Sequence, residues 1–279
     1  MKLSQAQPYP HKRAVKLELD EPPAELLVNR LYLAVEGEGM TIGQPKWFLR
    51  TQGCSVGCKW CDSRQTWRFD TLMGEWPEYD HAMFKVKEED ISAFVASLRE
   101  RAPNVHHISL TGGEPLQQNE KIIGKLVESL ANRSFIVQLE TSGQIVANNN
   151  DAIKTITEKG YLSIDLKTPS SRLSPNMEAI TSMFKAAHRS NKVCIQLKAV
   201  VADDIDYEFT KNAFNELMPL YPKVEYIITP CWEPNKEMAL SDFAEDWFNR
   251  FLADTEWYCL PKVILQQHKV MFGTDNEDS

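Results

Sequence analysis

Three cysteines fall within eight residues, Cys54, Cys58 and Cys61 in the run CSVGCKWC, a C-x3-C-x2-C spacing. Three thiolates can each hold one iron of a four-iron, four-sulfide cube. The fourth iron is then left without a protein ligand, open to a small chelating molecule that accepts an electron there. A structural zinc ion is the competing reading, but zinc takes four protein ligands, commonly as paired C-x2-C, and no further Cys or His follows until His81. The spacing therefore favours a [4Fe-4S] cluster with an open corner. Cys194, Cys231 and Cys259 stand far apart in the chain and read as buried or incidental thiols.

Further along, Thr111, Gly112, Gly113, Glu114 and Pro115 follow an apolar run. Two adjacent glycines allow a close approach of backbone to ligand, and a carboxylate such as Glu114 can accept from an ammonium group. Two more polar groups sit at corresponding places, Glu140, Thr141, Ser142 and Gly143 after one apolar run, and Asp165, Leu166 and Lys167 after the next. Polar residues recurring at successive strand ends read as a binding site for hydroxyl, carboxylate and ammonium groups.

The elements that must position these residues alternate. Short apolar, β-branched or aromatic runs predict strands over 46–50, 106–110, 135–139, 161–165, 192–200, 224–228 and 262–265. Helical spacing predicts helices over 88–101, 120–132, 149–159, 176–190, 206–217 and 240–254. Strand and helix in alternation build a parallel sheet whose reactive loops gather at the carboxyl ends of the strands. The fold class expected is α/β with predominantly parallel strands. Pro8, Pro10, Pro22 and Pro23 make residues 1–27 read as a peripheral extension. Residues 28–272 form the expected core domain, and 273–279 an acidic C-terminal tail.

With 279 residues, 43% of them hydrophobic, the chain can bury a sizeable core. It carries 31 Lys and Arg against 39 Asp and Glu, a formal charge of -8 that repels phosphate backbones, so no nucleic-acid partner is expected. No apolar run reaches the roughly 18 residues of a membrane span and no secretory leader is visible, so no membrane partner is expected and the protein reads as cytoplasmic. Thiols in that compartment stay reduced and free for metals.

The cysteine triplet, with Trp60 before its last member and Asp62 and Ser63 after it, resembles the signature of the radical S-adenosylmethionine superfamily. Gly112, Gly113 and Glu114 resemble that superfamily's GGE motif. The run LAVEGEGMTIGQPKWFLRTQGCSVGCKWCDS, followed in order by LTGGEPLQQ, LETSG, IDLKTP and LQQHK, resembles the 7-carboxy-7-deazaguanine synthase family of the queuosine pathway. The likeness spans roughly residues 31–272.

That resemblance implies a partial (β/α)6 radical SAM barrel and a reductive cleavage of S-adenosylmethionine at the cluster. The radical so made acts on 6-carboxy-5,6,7,8-tetrahydropterin, which becomes 7-carboxy-7-deazaguanine with loss of ammonia. It implies Mg2+ at Ser63, where the family carries a Thr, a reductant such as flavodoxin or ferredoxin, and a homodimer. Cofactor contacts fall on Gly112, Gly113, Glu114, Ser142, Asp165 and Lys167. Substrate contacts fall on Val35, Glu36, Gly37, Glu38, Arg50, Thr111, Glu140 and His268, with Arg50 suited to a bidentate grip on a carboxylate. The chain departs from the family at Glu36, where many members have Gln, at Asp165, where they have Ser, and at Thr229-Pro230, near a usual Gln-Pro. Two rival readings are a glycyl-radical-enzyme activase, which shares the triplet and fold but binds a protein loop, and a non-enzymatic metal-binding module.

Overall fold

The computed structural model describes residues 24–68, 73–75, 77, 83–146, 153, 155–156, 158, 160–187, 194–231 and 247–267. Ten strands form one sheet: β1 (Leu26–Val35), β2 (Pro45–Thr51), β3 (Gly74–Glu75), β4 (Phe84–Val86), β5 (His107–Gly112), β6 (Ile136–Thr141), β7 (Tyr161–Leu166), β8 (Ile195–Val201), β9 (Glu225–Pro230) and β10 (Lys262–Val263). Their spatial order is β10-β9-β8-β7-β6-β5-β2-β1-β4-β3. From β2 through β5 to β10 every neighbouring pair is parallel. The crossovers carry α1 (Ile91–Arg101), α2 (Glu120–Asn132), α3 (Met177–Ala187) and α4 (Asp204–Leu217). Residues 153, 155, 156 and 158 are helical between β6 and β7, and 247–253 are helical between β9 and β10. Seven strands are mutually parallel, and six of them, β2 and β5 to β9, are each followed by helix, which gives the mostly parallel α/β fold of a partial (β/α)6 barrel.

Strand alternation sorts the residues onto two faces. Leu49, Leu110, Leu139, Ile164 and Leu197 face one way and pack with Phe94, Leu98, Leu126, Ile180, Phe184 and Phe214 of the helices, all fully or almost fully buried. The opposite face carries Lys46 and Arg50 on β2, Ser109 and Thr111 on β5, Gln138 and Glu140 on β6, Ser163 and Asp165 on β7, and Gln196 and Lys198 on β8. The register puts Arg50 beside Thr111, Ser109 beside Gln138, Glu140 beside Ser163, and Asp165 beside Lys198. A buried parallel sheet is normally apolar on both faces. Here one face is polar, and the connector of residues 36–44 lies across it, with Met40 N–H donating to Gln196 at 2.6 Å and Thr41 Oγ1 to Gln138 at 2.6 Å.

The antiparallel edge was not expected from the sequence. β1 runs antiparallel to both β2 and β4, and β3 adds a parallel pair beyond them. β1 begins at Leu26, so Leu26 and Leu27, placed by their Pro-rich surroundings in the peripheral extension, are core residues. Among the described residues no helix is long and apolar enough to cross a membrane.

Candidate active site

The polar face and the loops at the carboxyl ends of β2, β5, β6, β7 and β8 enclose a cavity of about 750 Å3, within the size range of small-molecule sites. The loop after β2 supplies its first wall. Cys54 and Cys58 are buried and Cys61 is half-buried, and the loop packs against Val56, Trp67 and Leu173. Gln117 Oε1 accepts from the Ser55 N–H at 2.9 Å, Trp60 Nε1–H donates to Ser170 Oγ at 3.1 Å, and the Lys59 N–H donates to the Ser171 carbonyl at 3.1 Å. Ser170 is itself pinned by the buried Asp206 at the start of α4, which accepts from its N–H at 2.9 Å and its hydroxyl at 2.5 Å.

Two donors already aim at a sulfur: Cys61 Sγ accepts from the Ser63 N–H at 3.4 Å and from Trp67 Nε1–H at 3.3 Å. Such bonds stabilise a metal-bound thiolate. Burial, with the Glu114 carboxylate adding to it, pushes the Cys54 thiol up to about 12, and burial also raises Cys58 against the opposing pull of Lys167. Thiolates there need a cation beside them. Three thiols are one short of the four protein ligands a structural zinc ion takes, whereas a cube takes each thiolate on a separate iron. The donor set fits a [4Fe-4S] cluster held by Cys54, Cys58 and Cys61.

The second wall is the turn after β5. Gly112 has φ 104°, and a Cβ there would collide with Arg50 Cγ and the Thr51 nitrogen; one on Gly113 would collide with the Gly53 carbonyl. The glycines let this turn lie against the strand that leads into the cysteine loop. Glu114 does not point into the cavity as its motif suggests. It is fully buried behind the lining and accepts from Leu116 N–H at 3.1 Å, Thr141 Oγ1 at 2.8 Å, Ser142 N–H at 2.8 Å and Ser142 Oγ at 2.5 Å. Burial raises its pKa, partly offset by those donors. With four donors already on two oxygens, Glu114 joins the turn after β5 to the end of β6. Gly112, Gly113, Thr111 and Ser142 line the cavity.

The third wall is a network of charges across the polar face. Lys46, 1% exposed, donates to Glu36 Oε2 at 2.9 Å, Gln138 Oε1 at 3.0 Å and Thr41 Oγ1 at 3.1 Å. Gln138 Nε2 donates in turn to Glu36 Oε2 and Glu140 Oε1, both at 3.0 Å, and Thr111 Oγ1 donates to Glu140 Oε2 at 2.9 Å. Glu36 Oε1 accepts from the Glu38 N–H at 3.2 Å, fixing the turn of residues 36–38. Burial and the nearby Glu140 raise the Glu36 pKa, which Lys46 counteracts. Beyond this, Lys198 pairs with Glu38 and lies 3.6 Å from Asp165, while Lys167 reaches Asp165 at 2.7 Å and stands 5.5 Å over the Trp60 ring. Burial opposes charge on Lys198, but Glu38 and Asp165 hold its pKa well above the ordinary value; burial likewise opposes charge on Asp165, and Lys167 and Lys198 hold its pKa below the ordinary one. Gln266 Nε2 donates to Glu38 at 2.8 Å and the Gln267 N–H to the Gly37 carbonyl at 3.0 Å, closing the network from the far end of the chain.

The structure thus gathers Val35, Glu36, Gly37, Glu38, Arg50, Ser63, Glu140, Asp165 and Lys167 around the same cavity as the cysteines. Arg50 donates to the Tyr32 hydroxyl at 3.1 Å and lies 5.4 Å from that ring. His268 lies outside the described residues. Sequence reasoning missed Lys46, Gln138, Ser163, Gln196 and Lys198. Their signal was available: a polar residue at every second position of otherwise apolar strands. Cys231, read as incidental, lines the cavity, whereas Cys194 is buried and Cys259 exposed.

Residues 48–197 match the family model described as the Radical SAM superfamily. The 7-carboxy-7-deazaguanine synthase of Bacillus subtilis (strain 168) is 26% identical over 196 residues, 70% of this chain and 71% of that protein. The protein of the same name from Bacillus cereus is 29% identical over 245 residues, 86% of this chain and 92% of its own length. Among solved structures, QueE from Escherichia coli superposes with a TM-score of 0.60 at 21% identity, covering 88% of this chain and 95% of that one, a likeness of fold.

Proposed function

This chain belongs to the radical S-adenosylmethionine superfamily, and from that premise we propose that it is a 7-carboxy-7-deazaguanine synthase. It converts 6-carboxy-5,6,7,8-tetrahydropterin to 7-carboxy-7-deazaguanine with loss of ammonia, on the route to queuosine and other 7-deazapurines. The observation that carries this reading is a single cavity with the thiol loop as one wall and a charge-paired polar sheet face as another. An activase that takes a protein loop needs an open groove instead of a network closed over its own connector.

Bound at Cys54, Cys58 and Cys61, the cluster supplies the electron for reductive cleavage of S-adenosylmethionine, chemistry that belongs to the cofactor. The protein's part is to bind, orient and exclude water. The Gly112–Gly113 backbone, with Ser142, Asp165 and Lys167, meets the polar groups of S-adenosylmethionine, while Glu114 positions Gly113 and Ser142 from behind. Arg50 grips the pterin carboxylate, and the turn of residues 35–38 with Thr111, Glu140 and His268 orients the ring. Ser63 would offer its hydroxyl oxygen to Mg2+, a hard cation that would supply positive charge beside the substrate carboxylate. The enzyme works in the cytoplasm as a homodimer and draws electrons from flavodoxin or ferredoxin.

Anaerobic incubation of reduced, cluster-loaded protein with S-adenosylmethionine and the carboxytetrahydropterin should give the deazaguanine acid by mass spectrometry. S-adenosylmethionine cleavage without that product would sink the assignment while leaving the superfamily intact.

A further inference from the structure

Trp67 lies six residues beyond the last cysteine of the C-x3-C-x2-C run, yet its indole is aimed at that cysteine. Nε1–H donates to Cys61 Sγ at 3.3 Å, beside the Ser63 N–H at 3.4 Å. The segment that carries the indole is clamped. Arg64–Thr66 forms a short 3-10 turn, closed by the Trp67 N–H on the Arg64 carbonyl at 3.1 Å. Thr66 is fully buried; its hydroxyl donates to the Ser63 carbonyl at 2.6 Å, and its carbonyl accepts from the Gly53 N–H at 2.7 Å. The fully buried Gln52 amide donates to the carbonyls that flank Thr66 and Trp67, those of Gln65 at 3.3 Å and Arg68 at 2.5 Å. The ring packs against Cys54, Val56 and Cys58, with the Arg64 guanidinium 5.9 Å over it. Any apolar ring could fill that space. The N–H adds a donor, held in place by its own backbone, on the sulfur of a ligand.

We propose that Trp67 sets the reduction potential of the cluster, its indole N–H drawing charge from the Cys61 sulfur. The inference rests on the radical S-adenosylmethionine reading, in which Cys61 is a thiolate ligand of a cluster that receives one electron from an outside one-electron donor. That electron adds negative charge to the cluster and its sulfurs. A donor aimed at a ligand sulfur therefore stabilises the reduced form more than the oxidised one. Partial burial of Cys61 strengthens the effect, because water reaches only part of the sulfur to compete with the indole. Trp67 is thus a positioning residue acting through Cys61: it makes the cluster easier to reduce, and the reduced cluster correspondingly less forcing as a donor.

The test compares three cluster-loaded proteins without oxygen: the wild type, Trp67→Phe, and a protein whose residue 67 carries benzothiophene in place of indole. Benzothiophene has the same shape, with a sulfur where the N–H was, so it decides the matter even where Trp67→Phe fails to hold the cluster. The midpoint potential is read by a mediated redox titration followed by electron paramagnetic resonance. Both altered proteins should be harder to reduce, their midpoints falling by the equivalent of about a three- to tenfold change in the reduction equilibrium; tenfold is about 59 mV for a one-electron couple. Iron and sulfide per chain should not change in the benzothiophene protein. A wild-type potential in that protein overturns the proposal, even if Trp67→Phe alone shifts, since the effect would then belong to packing. Loss of the cluster from the benzothiophene protein also overturns it, making the N–H a contact for assembly. If the wild type itself takes up no four-iron cluster, the underlying reading fails, and that outcome is distinct from an unshifted potential.

Discussion

Two walls of one cavity are built on different principles. The sheet face is braced by charge: Lys46 with Glu36, Lys198 with Glu38 and Asp165, and Lys167 with Asp165, all tied to strands. The cysteine loop is braced by neutral hydrogen bonds through Ser55, Lys59 and Trp60 and by the packing of Val56, Trp67 and Leu173. The first wall pairs its lysines and carboxylates with one another before any ligand arrives. The second holds its backbone and keeps three thiols together in one loop, Cys61 accepting from the Ser63 and Trp67 N–H groups. The charged wall is therefore paired from folding alone, whereas the thiol wall, in the function proposed, is finished by a metal cluster.

The contrast can be broken most severely at Cys58. Cys58→Ala should abolish cluster absorbance and every turn of S-adenosylmethionine cleavage, yet shift the apo protein's stability by no more than about 1 kcal/mol. A collapse of the apo fold would mean that the loop is structural after all. Lys46→Met should do the reverse. It strands a buried Glu36 and so should cost about 3–5 kcal/mol in urea unfolding, with the cluster still assembled in whatever protein remains folded. Arg50→Lys sharpens the contrast within the charged wall. Losing the guanidinium fork should weaken pterin binding about tenfold, read as a rise in KM with the cluster spectrum unchanged.

Asp165→Asn gives the smallest effect and one with a sign fixed by pH. The folded pKa of Asp165 is depressed, so the stability it contributes is present above the ordinary carboxylate value and is lost as pH falls through the lower folded value. The stability gap between wild type and variant should be widest at neutral pH and shrink below about pH 4. A gap independent of pH would remove the ion pairs with Lys167 and Lys198 as its cause.

The same contrast separates what the sequence discloses from what it hides. Cysteine spacing is local, so the thiol loop is legible in eight letters, and the parallel strands announce themselves by apolar runs such as those around Leu110, Leu139 and Leu197. α2 matches its expected span of 120–132, bounded at its start by Asn119, whose side chain caps Lys121 and Ile122. Hidden are the residues whose meaning depends on a distant partner. Lys46 looks like a strand-edge surface lysine until Glu36 and Gln138 are brought to it, and Gln196 gains its role only when residue 40 crosses the sheet. β1 is masked by the prolines just before it, and Glu114 by a motif that fits its position in the chain better than the direction of its side chain.

The contact between Gln266 and Glu38 spans 228 positions of sequence. Loop closure over such a separation is slow and comes late. During synthesis the sheet and the thiol loop can form while the ribosome is still adding the last strand, and the turn of residues 36–38, already held by Lys46 and Lys198, gains its last clasp only when Gln266 emerges. A stalled or shortened chain would thus keep the thiol loop and the strand contacts of that turn, and lack the one fastening that comes from the far end of the chain.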